Sequence, residues 1–250
     1  MFKAVTDDTR LLKDSIETIS QLIDDGIFKL TKNGIELLAA DRAIVSVVDF
    51  KLKSTAFDEY VCDEKKEIGI NLLSFLTFLK RSSSLDKMTL ELNERENKLE
   101  IYLEGESNRK FAIPLIEVSK REMPEIEKLE FTASAEIKST VLEQGINDAD
   151  LVADSVIFDI SEKGIKMFAK GNGSKTELVL EGGNEALLKL NAKERVDSRY
   201  SLEYLKKIIR GARLSDKTQI SIGKDFPMKL QFIGENASLS MILAPRVSED

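Results

Sequence analysis

Residues Phe28–Val45 read FKLTKNGIELLAADRAIV, and the first part of this stretch returns at Phe158–Ala169 as FDISEKGIKMFA. Phe28 and Phe158, Gly34 and Gly164, Ile35 and Ile165, and Ala39 and Ala169 all carry numbers that differ by the same offset. That offset also relates Leu12 to Leu142, Ile16 to Ile146, Leu72 to Leu202 and Leu79 to Ile209. A spacing kept across separate segments implies a duplicated unit, so the two halves should share one fold. A chain of 250 residues is long enough for two such domains, each burying its own core.

Outward from the repeat, apolar periodicity predicts a strand at 2–5, a helix at 9–19 and a hairpin of 26–31 with 35–39 across Lys32-Asn33-Gly34. Strands follow at 44–52 and 57–62, a helix at 72–81, and strands at 88–92, 99–103 and 109–117. The second half answers with helices at 138–146 and 202–213 and strands at 219–222, 228–233 and 239–243. Helices are few and strands many, which predicts an α+β fold of antiparallel sheets with the helices gathered on one face. Residues 118–130, VSKREMPEIEKLE, carry seven charges and a proline without a period, as an extended connector would. The expected organisation is a domain at 1–117, a connecting loop at 118–130 and a second domain at 131–250.

Histidine is absent, and Cys62 is the single cysteine. Ser-His-Asp and Cys-His catalysis and His-ligated metals are thereby excluded, and no disulfide can form within the chain. No apolar run approaches the length of a membrane span and the N-terminus lacks a signal-peptide core, so a cytoplasmic location is expected. Lys170–Thr176, KGNGSKT, lacks the spacing of a phosphate-binding loop and reads as a flexible turn. Asp148, Asp150 and Asp154 do not match a calcium loop, because Ala153 falls where Gly is needed. Neither a catalytic centre nor a metal or other cofactor is expected.

The net charge of −7 argues on average against a polyanionic partner, but its distribution is uneven. In the helix at 202–213, Leu202, Leu205, Ile208 and Ile209 form an apolar stripe. Lys206, Arg210 and Arg213 form a basic stripe opposite it, with Lys207 alongside. No acid follows Glu203, so i,i+4 pairing is not expected to balance these bases. Segments 9–20, 71–83, 138–148 and 201–213 together carry a net +4, leaving −11 for the remainder. Arg10, Lys13, Lys80, Arg81 and Lys138 complete the helical bases. Such a face suits sequence-independent phosphate contact with duplex DNA, and no interleaved aromatics favour single strands. Two other readings stay open at this level: a scaffold that binds acidic proteins, and a carboxylate-metal nuclease using the three aspartates.

Four stretches carry a resemblance over essentially the whole length: Gly34–Val45; FDEYVCDEKKEIGINLLSFLTFLK at 57–80; SRYSLEYLKK at 198–207; and LAPRV at 243–247. The chain resembles DNA sliding clamps of the proliferating cell nuclear antigen family in their archaeal form. The resemblance implies the DNA clamp fold and a ring of three such chains, with helices lining the hole and sheets outside. It implies no catalysis, but tethering of polymerase, flap endonuclease and DNA ligase in replication and repair, and placement on DNA by a clamp loader. For the subunit interface it implies two strand edges, one with Lys110, Phe111, Ile113 and Leu115, the other with Thr176, Leu178 and Leu180. For the pocket that takes short client motifs it implies Ala40, Ile44, Val45, Val47, Pro124, Ile126, Pro227, Ile242, Leu243, Ala244, Pro245 and Val247. Archaeal clamps occur as identical and as mixed trimers, and a homotrimer is the expectation here. Two departures stand out. Ala40-Asp41-Arg42-Ala43-Ile44 replaces the family's usual residues in the pocket, and Leu76 occupies the place of Lys206, where a pore-facing leucine is unexpected.

Overall fold

The computed structural model describes residues 1–119 and 123–246, so the expected connector is described except for 120–122. Residues group into two compact units. The first comprises Met1–Arg42, Val48–Met123 and Gly234–Leu239, and the second Ala43–Val47, Pro124–Ile233 and the chain from Ser240 onward. The break at Met123/Pro124 falls within the expected connector, and two short segments change sides.

The first half runs β1 (Phe2–Thr6), α1 (Arg10–Ile19), β2 (Asp25–Thr31), β3 (Gly34–Ala40), β4 (Ser46–Lys53), β5 (Glu59–Cys62), β6 (Lys66–Asn71), α2 (Leu72–Leu79), β7 (Lys87–Asn93), β8 (Lys98–Glu104) and β9 (Asn108–Pro114). The second runs β10 (Ala133–Lys138), α3 (Ser139–Asp150), β11 (Ser155–Ser161), β12 (Gly164–Gly171), β13 (Ser174–Glu181), β14 (Leu187–Ala192), β15 (Val196–Ser201), α4 (Leu202–Ile208), β16 (Lys217–Ile222), β17 (Met228–Ile233) and β18 (Ala237–Leu243). The order of strands and helices is the same in both halves. So is the pairing: β5-β1-β7-β8-β9 and β4-β3-β2-β6 in one, β14-β10-β16-β17-β18 and β13-β12-β11-β15 in the other.

Each helix buries one stripe. Leu12, Ile16 and Ile19 do so on α1, Phe75, Leu76 and Leu79 on α2, Leu142, Ile146 and Ala149 on α3, and Leu202, Leu205 and Ile208 on α4. The positions follow the 3.6-residue repeat, and a fully buried Leu or Ile contributes about 1.5–3 kcal/mol. Leu76 therefore belongs to the core, 5% exposed, and is no pore residue. Asn71 starts α2 by accepting a bond from Ser74 N–H at 2.9 Å. Phe28 meets Phe75 edge-on at 6.2 Å, and its counterpart Phe158 meets Tyr200 at 6.0 Å. The buried Tyr200 hydroxyl donates to Phe226 C=O at 2.8 Å.

Several boundaries differ from those expected. Strands β6, β10, β14 and β15 were not anticipated; in β10 and β15 small or polar residues fill inward positions, as Ala133, Ala135 and Ser198 do. Helix α2 ends at Leu79. The helix expected over 202–213 tightens at Ile209–Leu214 into a 3-10 turn, where a Cβ on Gly211 would stand 2.5 Å from the Phe232 ring. Strand β9 stops at Pro114 because Ile116 N–H turns to Gly69 C=O of β6 at 3.0 Å. KGNGSKT is a tight hairpin turn, with Asn172 and Gly173 at φ 48° and 79° as a two-residue turn requires.

The Asn-Gly pair at 33–34 has a different role from the one expected. The turn residues are Lys32 and Asn33, with Thr31 paired to Gly34. Gly34 (φ 139°) and Gly164 (φ 153°) sit just after their turns, where a Cβ would lie 2.0 Å from Leu52 C=O and 2.1 Å from Leu180 C=O. Glycine is required in both copies by the same close approach of a neighbouring strand. Gly34→Ala and Gly164→Ala should each destabilise the protein by at least about 2 kcal/mol, read as a drop in the denaturant midpoint.

Candidate nucleic-acid interface and docking surfaces

With one stripe of each helix in the core, the opposite stripe is what remains for a partner. On α4 and the turn after it, Lys206, Arg210 and Arg213 are exposed along one line and Lys207 is half-buried beside them. Lys80 and Arg81 are exposed just past α2, and Arg10 and the half-buried Lys13 lie on α1. Lys138 is exposed at the start of α3. The nine predicted bases thus avoid the core.

The positive face is less even than composition implied. Helix α3 carries Glu143, Asp148 and Asp150 and no base, so its exposed stripe is acidic. Many bases also hold acids. Lys80 Nζ lies 2.7 Å from Glu17 on α1, and Lys206 Nζ 2.7 Å from Asp150 on α3. Arg10 forks onto Asp8 at 2.9 and 3.0 Å. Contrary to the expectation for this helix, Lys207 pairs with Glu203 four positions earlier, at 3.1 Å. Solvent-exposed pairs of this kind add only about 0–1 kcal/mol to stability. In the sequence Glu17 is a neutralising charge on its own helix, and nothing in the spacing sets it against Lys80 at the end of another. Asp150 is taken up by Lys206, and Asp154 pairs with Arg246 at 2.8 Å. Among the described residues no group of three acids, Cys or His converges on a metal site.

The two strands proposed for subunit contact each end a sheet, β9 beside β8 and β13 beside β12. Phe111 is half-buried and stacks on Phe78 of α2 at 5.2 Å, and Ile113 is buried. Leu115 lies beyond the end of β9, with its N–H on Asn97 C=O at 2.9 Å. Thr176 and Leu178 are half-buried, Leu180 is buried, and Val179 is 46% exposed. Phe78 and Val179 were not anticipated; only the alternation along β13 around Val179 could have drawn attention to either.

Of the residues named for client motifs, Ile44, Val45, Pro124, Ile126, Pro227, Ala244 and Pro245 lie in the second unit; Ile44, at 50%, and Pro124 are exposed and the other five half-buried. Ala244 N–H donates to Val45 C=O at 2.8 Å. Val47, Ile242 and Leu243 are buried at 4%, 7% and 0%, so they support this surface from the core and do not line it. Val247 lies outside the described residues. Ile44 has φ 56°, a left-handed conformation that costs a β-branched residue about 1–2 kcal/mol. Ala40 instead lines a cleft of about 520 Å³ within the first unit. Leu22, Leu38, Val118 and Met123 share it with Asp24, Asp25, Asp41, Glu67 and Glu117, against Lys29 and Arg42. The cleft thus combines apolar side chains with an excess of acids.

Two family models, Proliferating cell nuclear antigen, N-terminal domain, and Proliferating cell nuclear antigen, C-terminal domain, match residues 1–123 and 125–247. The chain belongs to the proliferating cell nuclear antigen family. It is 36% identical over 249 residues to DNA polymerase sliding clamp 1 of Thermococcus kodakarensis, and 34% identical to the DNA polymerase sliding clamp of Pyrococcus furiosus. Each alignment covers 99% of both chains. The crystal structure of PCNA from Thermococcus kodakaraensis matches with a TM-score of 0.91 at 31% identity, over 98% of this chain and all of that one. That from Entamoeba histolytica shares the fold, with a TM-score of 0.89 at 23% identity over 98% of this chain and 99% of that one.

The β9 edge is held by charge within this chain. Arg109 reaches Asp86 at 2.7 Å and Arg81 C=O at 2.9 Å. Lys110 lies 3.0 Å from Glu100 on β8, which also accepts from the Tyr102 hydroxyl and from Asn93 at 3.0 Å. The Tyr102 bond, with those from Asn93 and Lys110, lowers the Glu100 carboxyl to about 2. A carboxyl depressed by folding adds stability above its unfolded value, about 4.3, and loses it as pH falls to about 2. Glu100→Gln should therefore flatten the acid limb of unfolding midpoint against pH in that window and leave the neutral limb parallel to wild type.

Proposed function

We propose that the chain is a DNA polymerase sliding clamp, a non-catalytic processivity factor that closes with two further copies into a ring around duplex DNA. The observation that carries this reading is the division of charge: Lys206, Arg210 and Arg213 stand in line on the exposed face of α4 and its continuation, in a protein of net charge −7. Phosphate contact through such a line is sequence-independent, as a clamp that moves along DNA needs. Acids elsewhere limit adhesion to DNA outside the ring. The Thermococcus and Pyrococcus sliding clamps, similar over 99% of their length, support the same reading.

The β9 and β13 edges would pair head to tail between subunits, which also removes two exposed edges from solvent. One chain carries both edges, so copies of it suffice for closure. The two domains are joined by the connector at 118–130. Polymerase, flap endonuclease, ligase and the clamp loader would dock by short motifs on Ile44, Val45, Ile126, Pro227, Ala244 and Pro245. A location with the chromosome in the cytoplasm follows from this role.

After loading, the protein should stay on closed circular DNA and slide off once the circle is cut, measured by gel filtration; equal retention on both forms would sink the proposal. Ile44→Gly tests the docking surface separately. Relief of the left-handed strain roughly offsets the entropy of the new glycine, so thermal stability should hardly change. Loss of the exposed side chain should weaken binding of a client-motif peptide by roughly 10- to 100-fold, read by titration calorimetry.

A further inference from the structure

Helices α1 and α2 lie side by side in the first unit, as do α3 and α4 in the second. In each pair an acid on the earlier helix holds a lysine at or just beyond the later one: Glu17 with Lys80, and Asp150 with Lys206, both at 2.7 Å. Duplication did not supply this match. The repeat places Asn147 and Arg210 opposite Glu17 and Lys80, and Ser20 and Leu76 opposite Asp150 and Lys206. The two units reach the same arrangement from different residues.

In both pairs the lysine is the more open partner, at 51% and 48% exposed, and the acid the more covered, at 19% and 35%. The ammonium is reachable from solvent while the carboxylate stays fixed beside it. By contrast Lys13, Arg81, Lys138 and Arg210 make no ion pair among the described residues. A free lysine that meets a phosphate neutralises it and releases a condensed counterion. A lysine already neutralised by its own carboxylate does so only by leaving that acid, or by bringing a negative charge up to the DNA.

We propose that Glu17 and Asp150 are built-in counterions that lower the phosphate grip of Lys80 and Lys206, so that the helical face holds the duplex loosely enough to travel along it. This rests on the DNA-encircling reading above. The free bases supply attraction, and the paired lysines form a reserve that the acids keep largely out of use.

The test is equilibrium binding of the full-length protein to a short linear duplex over a salt series, with Glu17→Gln, Asp150→Asn and the double variant. Each substitution is close to isosteric, and each site is an independent arm. The slope of log affinity against log salt should steepen by about 0.9 for every lysine released onto a phosphate, with tighter binding at low salt. In a Lys80→Gln background, Glu17→Gln should add nothing, and likewise Asp150→Asn with Lys206→Gln. Glu162→Gln, in the exposed β11–β12 turn, changes net charge equally and should leave the slope alone. Equal steepening by Glu162→Gln, or by Glu17→Gln without Lys80, overturns the proposal, because net charge would then explain the effect. Unchanged slopes in both acid variants, with normal wild-type binding, overturn it and leave the DNA reading standing. Absence of salt-dependent binding by wild type overturns both.

Discussion

The burial of one stripe of each helix against its sheet decides which residues are left for a partner. Phe75, Leu76 and Leu79 take the inner face of α2, and Leu202, Leu205 and Ile208 that of α4. With 3.6 residues per turn, Lys206 and Arg210 have nowhere to go but outward. The cores on either side of the repeat use equivalent anchors, Phe28 and Phe158, each buried and each with an aromatic neighbour set at a steep angle. Any change that rotated a helix about its axis would break both the core and the outer stripe, so packing and electrostatics are specified by the same residues.

Surface charge in this protein is organised as pairs more than as blocks. At the β9 edge, Arg109 and Lys110 are fastened to Asp86 and Glu100, which spares a free strand edge from presenting unopposed cations. On the helices the pairs at Lys80 and Lys206 cross from one helix to the next. An exposed pair adds little to stability, but it changes how a cation responds to a third charge, and the latter effect is the one a polyanion meets.

The repeat, the α+β class and the helical stripes were legible because they rest on periodicity and on a fixed offset, both readable along the chain. Gly34 was legible as important but for a different reason: its place is set by Leu52 C=O, on the separate strand β4, and by no turn geometry of its own. Strands β10 and β15 were missed where alanine and serine fill inward positions, since a small side chain buries well yet leaves a weak apolar signal. The partners of Lys80 and Lys206 were illegible for a harder reason. Pairing between helices depends on which stripes adjoin, and sequence spacing carries no information about that.

The two copies diverge after Ala39 and Ala169, and the loops say how. Strands β12 and β13 are joined by Asn172-Gly173 alone, both residues in the left-handed conformation that such a turn demands. Strands β3 and β4 are joined by the longer segment 41–45. Lengthening a surface loop by a few residues costs little in closure entropy, so the extra chain needed no compensation in the core. It carries a buried Asp41, an Arg42 paired with Asp24 at 3.0 Å, and Ile44 held exposed in a conformation a β-branched residue avoids. Isoleucine at a position where glycine or asparagine would carry no strain makes sense if the exposed apolar side chain is itself the useful part.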